Sequence, residues 1–332
     1  MKKFLIIRFS SIGDIVLTTP VFRCLRSRFP EAEIHFLTKN AYNEILAFNP
    51  YINKIHIAGN KFDDLLKELK RERYDYIIDL HNNLRTLKVK RFLRSVPSFS
   101  FNKLNIGKFI YTRFKINILP QKHIVDRYLE TVESLGVIND GKGLDYFICE
   151  ADQLKINEIP FSHLSGYIGI VIGAAWKTKK LPLHKLIELC RFIQHPIILL
   201  GGKEDFENGE QIAFTDNIKI YNACGKFSIN TSADLVRKAK CIITHDTGLM
   251  HIAAAFQKPI ISVWGNTTPA FGMYPYYGTQ ENQRSQIVEI NKLWCRPCSK
   301  IGYNKCPLGH FKCMEQININ EIVSLVNKCL QV

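Results

Sequence analysis

The stretch from Thr244 to Pro269, THDTGLMHIAAAFQKPIISVWGNTTP, constrains the fold of this chain more than any other segment. A buried-type run (Cys241, Ile242, Ile243) ends in the polar cluster Thr244, His245, Asp246, Thr247, Gly248. A helix of small residues from Leu249 to Phe256 follows, and then a second apolar run from Pro259 to Trp264. Strand, sharp turn, helix, strand is the signature of a parallel βαβ unit. It sets Asp246, Thr247 and Gly248 at the carboxyl edge of a sheet, where α/β folds bind ligands. Helix N–H groups with no bulky side chain in front of them suit an anion, and a nucleotide diphosphate is the natural guest. The competing reading is simpler: Asp246 or Thr247 caps a helix and Gly248 turns the chain.

The alternation recurs along the chain. Strands are expected at Lys3–Phe9, Glu33–Leu37, Lys54–Ile57 and Tyr76–Leu80, and again at Tyr167–Ile172, Ile197–Leu200, Lys219–Tyr221, Cys241–Thr244 and Ile260–Val263, with helices between them. Residues 150–166 are mixed, polar and turn-rich, and read as a linker. The pattern predicts parallel sheets with helices on both faces, and 332 residues suffice for two such domains. The first domain is expected over 1–155 and the second over 166–315. A closing helix, within 316–332, is a candidate to cross back onto the first domain.

At the N-terminus the apolar strand carries one charge, Arg8, and ends in the turn Ser10-Ser11-Ile12-Gly13-Asp14, with helical spacing from Ile15 to Arg28. Arg8 and Asp14 interrupt the apolar run too early for a signal peptide. A single glycine rules out a G-x-G-x-x-G fingerprint. No apolar run approaches the roughly 18 residues a spanning helix needs. Six of the ten cysteines are scattered through apolar or helical segments, where the free thiol behaves as a small core residue, so a reducing cytoplasm is the expected compartment.

Four blocks together resemble a known family. SSIGDIVLTTP near the N-terminus, GAAWKTKKLP at 173–182, LLGGKED at 199–205 and HDTGLMHIAAAFQKPIISVWGNTTP at 245–269 are similar, in order and spacing, to the signature blocks of glycosyltransferase family 9, the heptosyltransferases of the lipopolysaccharide inner core. The resemblance implies a GT-B fold, two Rossmann-like doubly wound parallel-sheet domains facing a central cleft. It implies an inverting transfer of L-glycero-D-manno-heptose from ADP-heptose to an anionic inner-core acceptor, with no cofactor required for catalysis.

By that resemblance Asp14 is the base and Lys179 the phosphate-contacting lysine. A carboxylate suits removal of a hydroxyl proton as the oxygen attacks, and a helix N-terminus at Thr247 and Gly248 suits the departing diphosphate. Gly13, Asp246, His251 and Glu204 complete the expected donor side, Asp246 through sugar hydroxyls rather than phosphates. Ala174 and Ala175 stand where some members carry phosphate-binding hydroxyls, and Leu181 where a tryptophan is common. Another nucleotide-sugar or acceptor, or a non-catalytic nucleotide-sugar-binding protein, are the alternatives; the joint presence of Asp14, Lys179 and Asp246 argues against the last.

Charge is unevenly spread. The net value is +15, and from Leu84 to Lys122 there are ten Lys or Arg and no Asp or Glu, interleaved with aromatics. A solvated basic face is the plainest reading. No nucleic-acid-binding motif accompanies the segment, so nucleic acid is not the expected partner. An anionic acceptor at the inner-membrane surface is, with peripheral contact to that membrane. Arg91 and Arg94, with His81 and Arg85 in the loop after the fourth strand, are the acceptor-side candidates. Finally, Cys295, Cys298, Cys306 and Cys313 have zinc-ribbon-like spacing and offer four thiolates to a structural zinc; packed thiols or labile disulfides are the other readings.

Overall fold

The computed structural model describes residues 1–280 and 284–331. The chain divides into two compact units, Met1–Lys103 with Lys122–Phe147, and Leu104–Gln121 with Ile148–Val332.

In the first unit β1 (Lys3–Ile7) leads through the short α1 (Ile12–Val16) into α2 (Thr19–Arg28). Then come β2 (Glu33–Thr38), β3 (Lys54–Ile57), α3 (Phe62–Arg71), β4 (Tyr76–Asp79), α4 (Leu84–Phe92) and β5 (Ser98–Ser100). The helix α5 (Asn105–Phe114) clusters with the second unit, and α6 (Ile124–Glu133) returns to the first. The five strands are all parallel, in the order β3-β2-β1-β4-β5. One helix was expected over Ile15–Arg28; the chain makes two. Pro20 lies in the first turn of α2, where its missing N–H costs nothing, so the proline starts a helix rather than continuing one.

The second unit contains β6 (Ile168–Val171), α7 (Leu183–Phe192), β7 (Ile197–Leu200), α8 (Phe206–Ala213), β8 (Ile220–Asn222), α9 (Ile229–Lys238), β9 (Cys241–His245), α10 (Gly248–Ala255), β10 (Ile260–Trp264), β11 (Ser285–Glu289), α11 (Lys312–Glu315) and α12 (Ile319–Leu330). Its parallel order is β11-β10-β9-β6-β7-β8. The central strands are continuous apolar runs because helices cover both faces. Ile168, Ile170, Leu199, Ile243 and Ile261 share one core with Ile319, Ile322 and Val326 of α12. The closing helix, a candidate to cross to the first domain, thus packs its apolar stripe on α7, β9 and β10 of the second unit.

Strand order locates the sites. In each sheet the first strand has the later strands winding off in opposite directions, at β1/β4 in one unit and β6/β9 in the other. A crevice opens at the carboxyl ends of the two strands flanking such a reversal, and ligands bind there. The loops at these four strand ends carry Asp14, His81, Lys179 and Asp246.

Candidate active site

Arg8 follows β1 directly and is only 8% exposed. Its guanidinium is spread over three anchors: Nε donates to the Ser10 carbonyl at 2.8 Å, Nη1 to the Leu80 carbonyl at 2.5 Å, and Nη2 pairs with Asp14 Oδ1 at 2.6 Å. Burial works against the charge, but the Asp14 carboxylate holds Arg8 above its ordinary pKa. The other Asp14 oxygen accepts from the Ser11 amide at 3.1 Å and the Ser11 hydroxyl at 2.7 Å. Asp14 therefore does reach back to cap α1, as a residue at its position in a capping box would. Capping occupies Oδ2, while the buried Arg8 fixes Oδ1. Gly13 is buried in the first turn of α1 beside them.

At the end of β4, Asp79 is fully buried. It accepts from the amides of His81 (3.1 Å) and Asn82 (2.7 Å) and pairs with Lys90 at 2.9 Å. This holds the loop while Asn82 takes a left-handed φ of 48°. The His81 ring packs edge-on to Phe9, centroids 5.4 Å apart. Burial, with the Arg8 and Lys103 cations adding to it, pulls the His81 pKa down to about 4, so the ring is neutral at pH 7. Asn83 caps α4 by accepting from the amides of Arg85 and Thr86, which leaves Arg85 exposed in the first turn. In a βαβ crossover the helix runs back toward the amino edge of the sheet. Arg91, in the last turn of α4, and Arg94, two residues past its end, are both exposed and are thereby carried away from the carboxyl edge. The basic segment itself is divided: Lys88 pairs with Asp63 and Lys90 with Asp79, and Lys115 donates to the Pro297 carbonyl.

The loop after β6 is strapped down on three sides, and this positions Lys179. The hydroxyl of Thr178 accepts from the Tyr303 amide at 2.8 Å. Lys180 pairs with the buried Asp205 at 2.5 Å, and the Leu181 amide donates to His245 Nε2 at 2.9 Å. Burial, helped by Lys180, holds His245 at a pKa of about 4, which keeps that nitrogen an acceptor. A Cβ on Gly173 would lie 2.3 Å from the Asp205 carboxylate, so only glycine lets this strap approach the loop after β7. Lys179 Nζ then meets Asp246 Oδ2 at 2.6 Å, and Thr267 Oγ1 donates to the same oxygen at 3.0 Å.

Below this pair α10 begins. Its N-cap residue Thr247 makes no side-chain cap bond, because its hydroxyl lies 3.2 Å from that of Thr244. The capping explanation thus fails for Thr247, and first-turn amides without a side-chain cap are the groups an anion would meet. His251 is buried at 2% exposure one turn on, within the packing of α10. Glu204 is exposed at the end of β7, while its neighbour Asp205 does the bracing.

The four late cysteines lie on loops before and within α11. Cys295 Sγ is 3.9 Å from His310 Nε2, and Cys298 donates to the Cys295 carbonyl at 3.0 Å. Burial raises the thiols of Cys298 and Cys313, to about 11 and about 12. Among the described residues, the one group of three or more ligating atoms lying within 4.8 Å of one another is His35, His56 and Glu72, so as placed the cysteine sulfurs do not close on a common point.

Sequence reading missed Arg8, Ser11 and Thr267 as site-building residues. The signal for Arg8 was a lone charge at the end of an apolar strand, and for Thr267 a hydroxyl at the end of β10.

Comparison with known proteins agrees with the two parallel-sheet units. Lipooligosaccharide heptosyltransferase 2 of Haemophilus influenzae is 27% identical over 80% of this chain and 84% of its own length. A solved family 9 glycosyltransferase from Veillonella parvula superposes with a TM-score of 0.79 at 23% identity, covering 99% of this chain and 97% of its own. An Escherichia coli heptosyltransferase solved with ADP gives 0.69 at 19% identity, covering 98% and 99%. The sequence model of glycosyltransferase family 9 (heptosyltransferase) matches residues 63–306. The chain belongs to that family and is a glycosyltransferase.

Proposed function

We propose that this enzyme transfers L-glycero-D-manno-heptose from ADP-heptose to the anionic inner core of lipopolysaccharide. The acceptor hydroxyl oxygen attacks the anomeric carbon, and the bond from that carbon to the β-phosphate oxygen breaks. The hydroxyl proton goes to Asp14 and ADP leaves with the bonding pair, inverting the configuration in one displacement. The observation that carries the reading is the pair of preset carboxylate–cation sites, Asp14–Arg8 and Asp246–Lys179, one at each sheet reversal. Lys179 and the uncapped start of α10 receive the diphosphate charge, so transition-state stabilisation is assigned to protein groups. Neutral His81, with Arg85 beside it, is the acceptor-side pair. The names of the relatives support heptose as the sugar, and the ADP-bound E. coli structure supports ADP as the nucleotide.

Contact with the membrane is assigned to α5. None of its residues is buried, and Ile106, Phe109 and Phe114 are 61–77% exposed beside Lys108, Arg113 and Lys115. Such a stripe flanked by cations fits the surface of an anionic bilayer. Among the described residues no helix is long and apolar enough to cross one. Phe109→Glu should reduce co-sedimentation with anionic vesicles; equal sedimentation of wild type and variant would remove the assignment.

A structural zinc at Cys295, Cys298, Cys306 and Cys313 remains part of the proposal, with His310 an adjacent donor. Soft thiolates suit that ion, and elemental analysis of reduced protein should find about one equivalent lost on substituting Cys298. The donor reading is tested with purified enzyme, an inner-core acceptor and ADP-, UDP- and GDP-sugars. Transfer from ADP-heptose alone is expected; transfer from a UDP- or GDP-sugar in preference would assign another donor.

A further inference from the structure

On one face of the first sheet two buried histidines face each other. His35 of β2 and His56 of β3 are 0% and 2% exposed. Each has its outer ring nitrogen on a carboxylate, His35 Nε2 at 2.8 Å from Glu33 and His56 Nδ1 at 2.7 Å from Glu68. Those carboxylates accept hydrogen bonds, so both outer nitrogens carry the proton and both inner nitrogens carry lone pairs. The inner nitrogens lie 3.1 Å apart, and the buried Tyr74 hydroxyl stands 2.8 Å from one and 2.9 Å from the other. One hydroxyl proton can satisfy only one of them. The other ring nitrogen is left as a buried acceptor facing a second lone pair, an arrangement that calls for a cation.

Local charge points the same way. Glu33, Glu68 and Glu72 surround the pair against Lys3 and Lys54, three carboxylates to two ammoniums, leaving one negative charge over. Glu72 offers an oxygen within 4.8 Å of a ligating atom of each histidine. A proton bridges two atoms in line, whereas here three donors form a nearly equilateral triangle. One ion about 2.0–2.1 Å from each corner can cap a triangle of that size. Histidines whose second nitrogen is held by a carboxylate are the usual arrangement around a metal, since the carboxylate fixes the tautomer and raises ligand basicity.

We infer that His35, His56 and Tyr74 form a binding site for a first-row divalent cation of the zinc type, with Glu72 as the adjacent fourth donor and Glu33 and Glu68 orienting the rings. The ion would tie β2, β3 and the segment entering β4 together, a structural role independent of the sugar or nucleotide used.

The test is a zinc titration of chelator-treated, full-length protein followed through the imidazole nitrogen resonances. These report the two rings separately from any metal held by cysteine. Zinc should shift both His35 and His56 signals, saturating near one equivalent for this site. Glu68→Gln, which keeps every ligand, should weaken that response roughly 10–100-fold, and His56→Ala should abolish it. If both ring signals stay unmoved by excess zinc in the wild-type protein, the site is overturned and the rings share a proton instead.

Discussion

Asp14 and Asp246 are held in the same way by different partners, and the difference separates their roles. Each carboxylate has one cation at 2.6 Å and one hydroxyl at 2.7–3.0 Å. Arg8 is buried and bolted to two backbone carbonyls as well as to Asp14, so it cannot follow a ligand. It orients a base. Lys179 is a flexible chain with three donors, standing over the uncapped start of α10. Its chain can swing toward a diphosphate, and the Asp246 carboxylate, largely buried, then keeps the Thr267 hydroxyl as a partner. A guanidinium fork suits the first task and an ammonium the second.

The comparison breaks most sharply at Asp14. Asp14→Asn keeps a cap for α1 but cannot take a proton, and kcat should fall roughly 10²–10⁴-fold with the melting temperature nearly unchanged. Activity within a few-fold of wild type would return Asp14 to the role of helix cap. Arg8→Lys retains the charge but cannot reach all three anchors at once. It should lower kcat by about tenfold and leave the acceptor KM within about twofold, the mark of a group that positions a base rather than binds substrate. A change confined to KM would contradict that.

Histidine titration sharpens the contrast between the two loops. His81 and His245 have folded pKa values near 4, below the ordinary value of 6.5. The unfolded chain therefore takes up protons that the folded one refuses as pH falls from about 6.5 to about 4. Stability should be full above that window and decline through it. His245→Asn should flatten the decline in melting temperature; an equally steep decline in the variant would show that other groups set it. The smallest effect belongs to Arg91 and Arg94. Replacing both by Glu should change the acceptor KM by no more than about two- to threefold, as surface charges do, and a larger rise would bring the far end of α4 back into acceptor binding.

The sequence disclosed most of the sheet because buried parallel strands are written as apolar runs. The strands Lys54–Ile57 and Ile197–Leu200 were placed to the residue. It was silent on β5 and β11, both at sheet edges, where SFS and SQIVE alternate with solvent and carry no apolar run. Loops that follow strands were legible as motifs, so Asp14, Lys179, Asp246 and Gly248 were singled out, and all four follow the carboxyl ends of strands. Their partners were not singled out, because Arg8–Asp14 and Thr267–Asp246 depend on a side chain's reach rather than on spacing. Arg91 and Arg94 stood out by charge density, a property of composition that says nothing of which end of a helix faces a site. The Glu33–His35–His56–Glu68 array was invisible because its members come from three separate elements.

The division of labour between the two units is tested most directly by one ADP titration on three proteins: wild type, Asp14→Asn and Lys179→Ala. Asp14→Asn should bind ADP as wild type does, because its carboxylate acts on the acceptor. Lys179→Ala should bind roughly 10–100-fold more weakly, the worth of a charge-assisted contact to phosphate. Equal weakening in both variants, or full ADP affinity in Lys179→Ala, would contradict the assignment of base and donor platform to separate sheets.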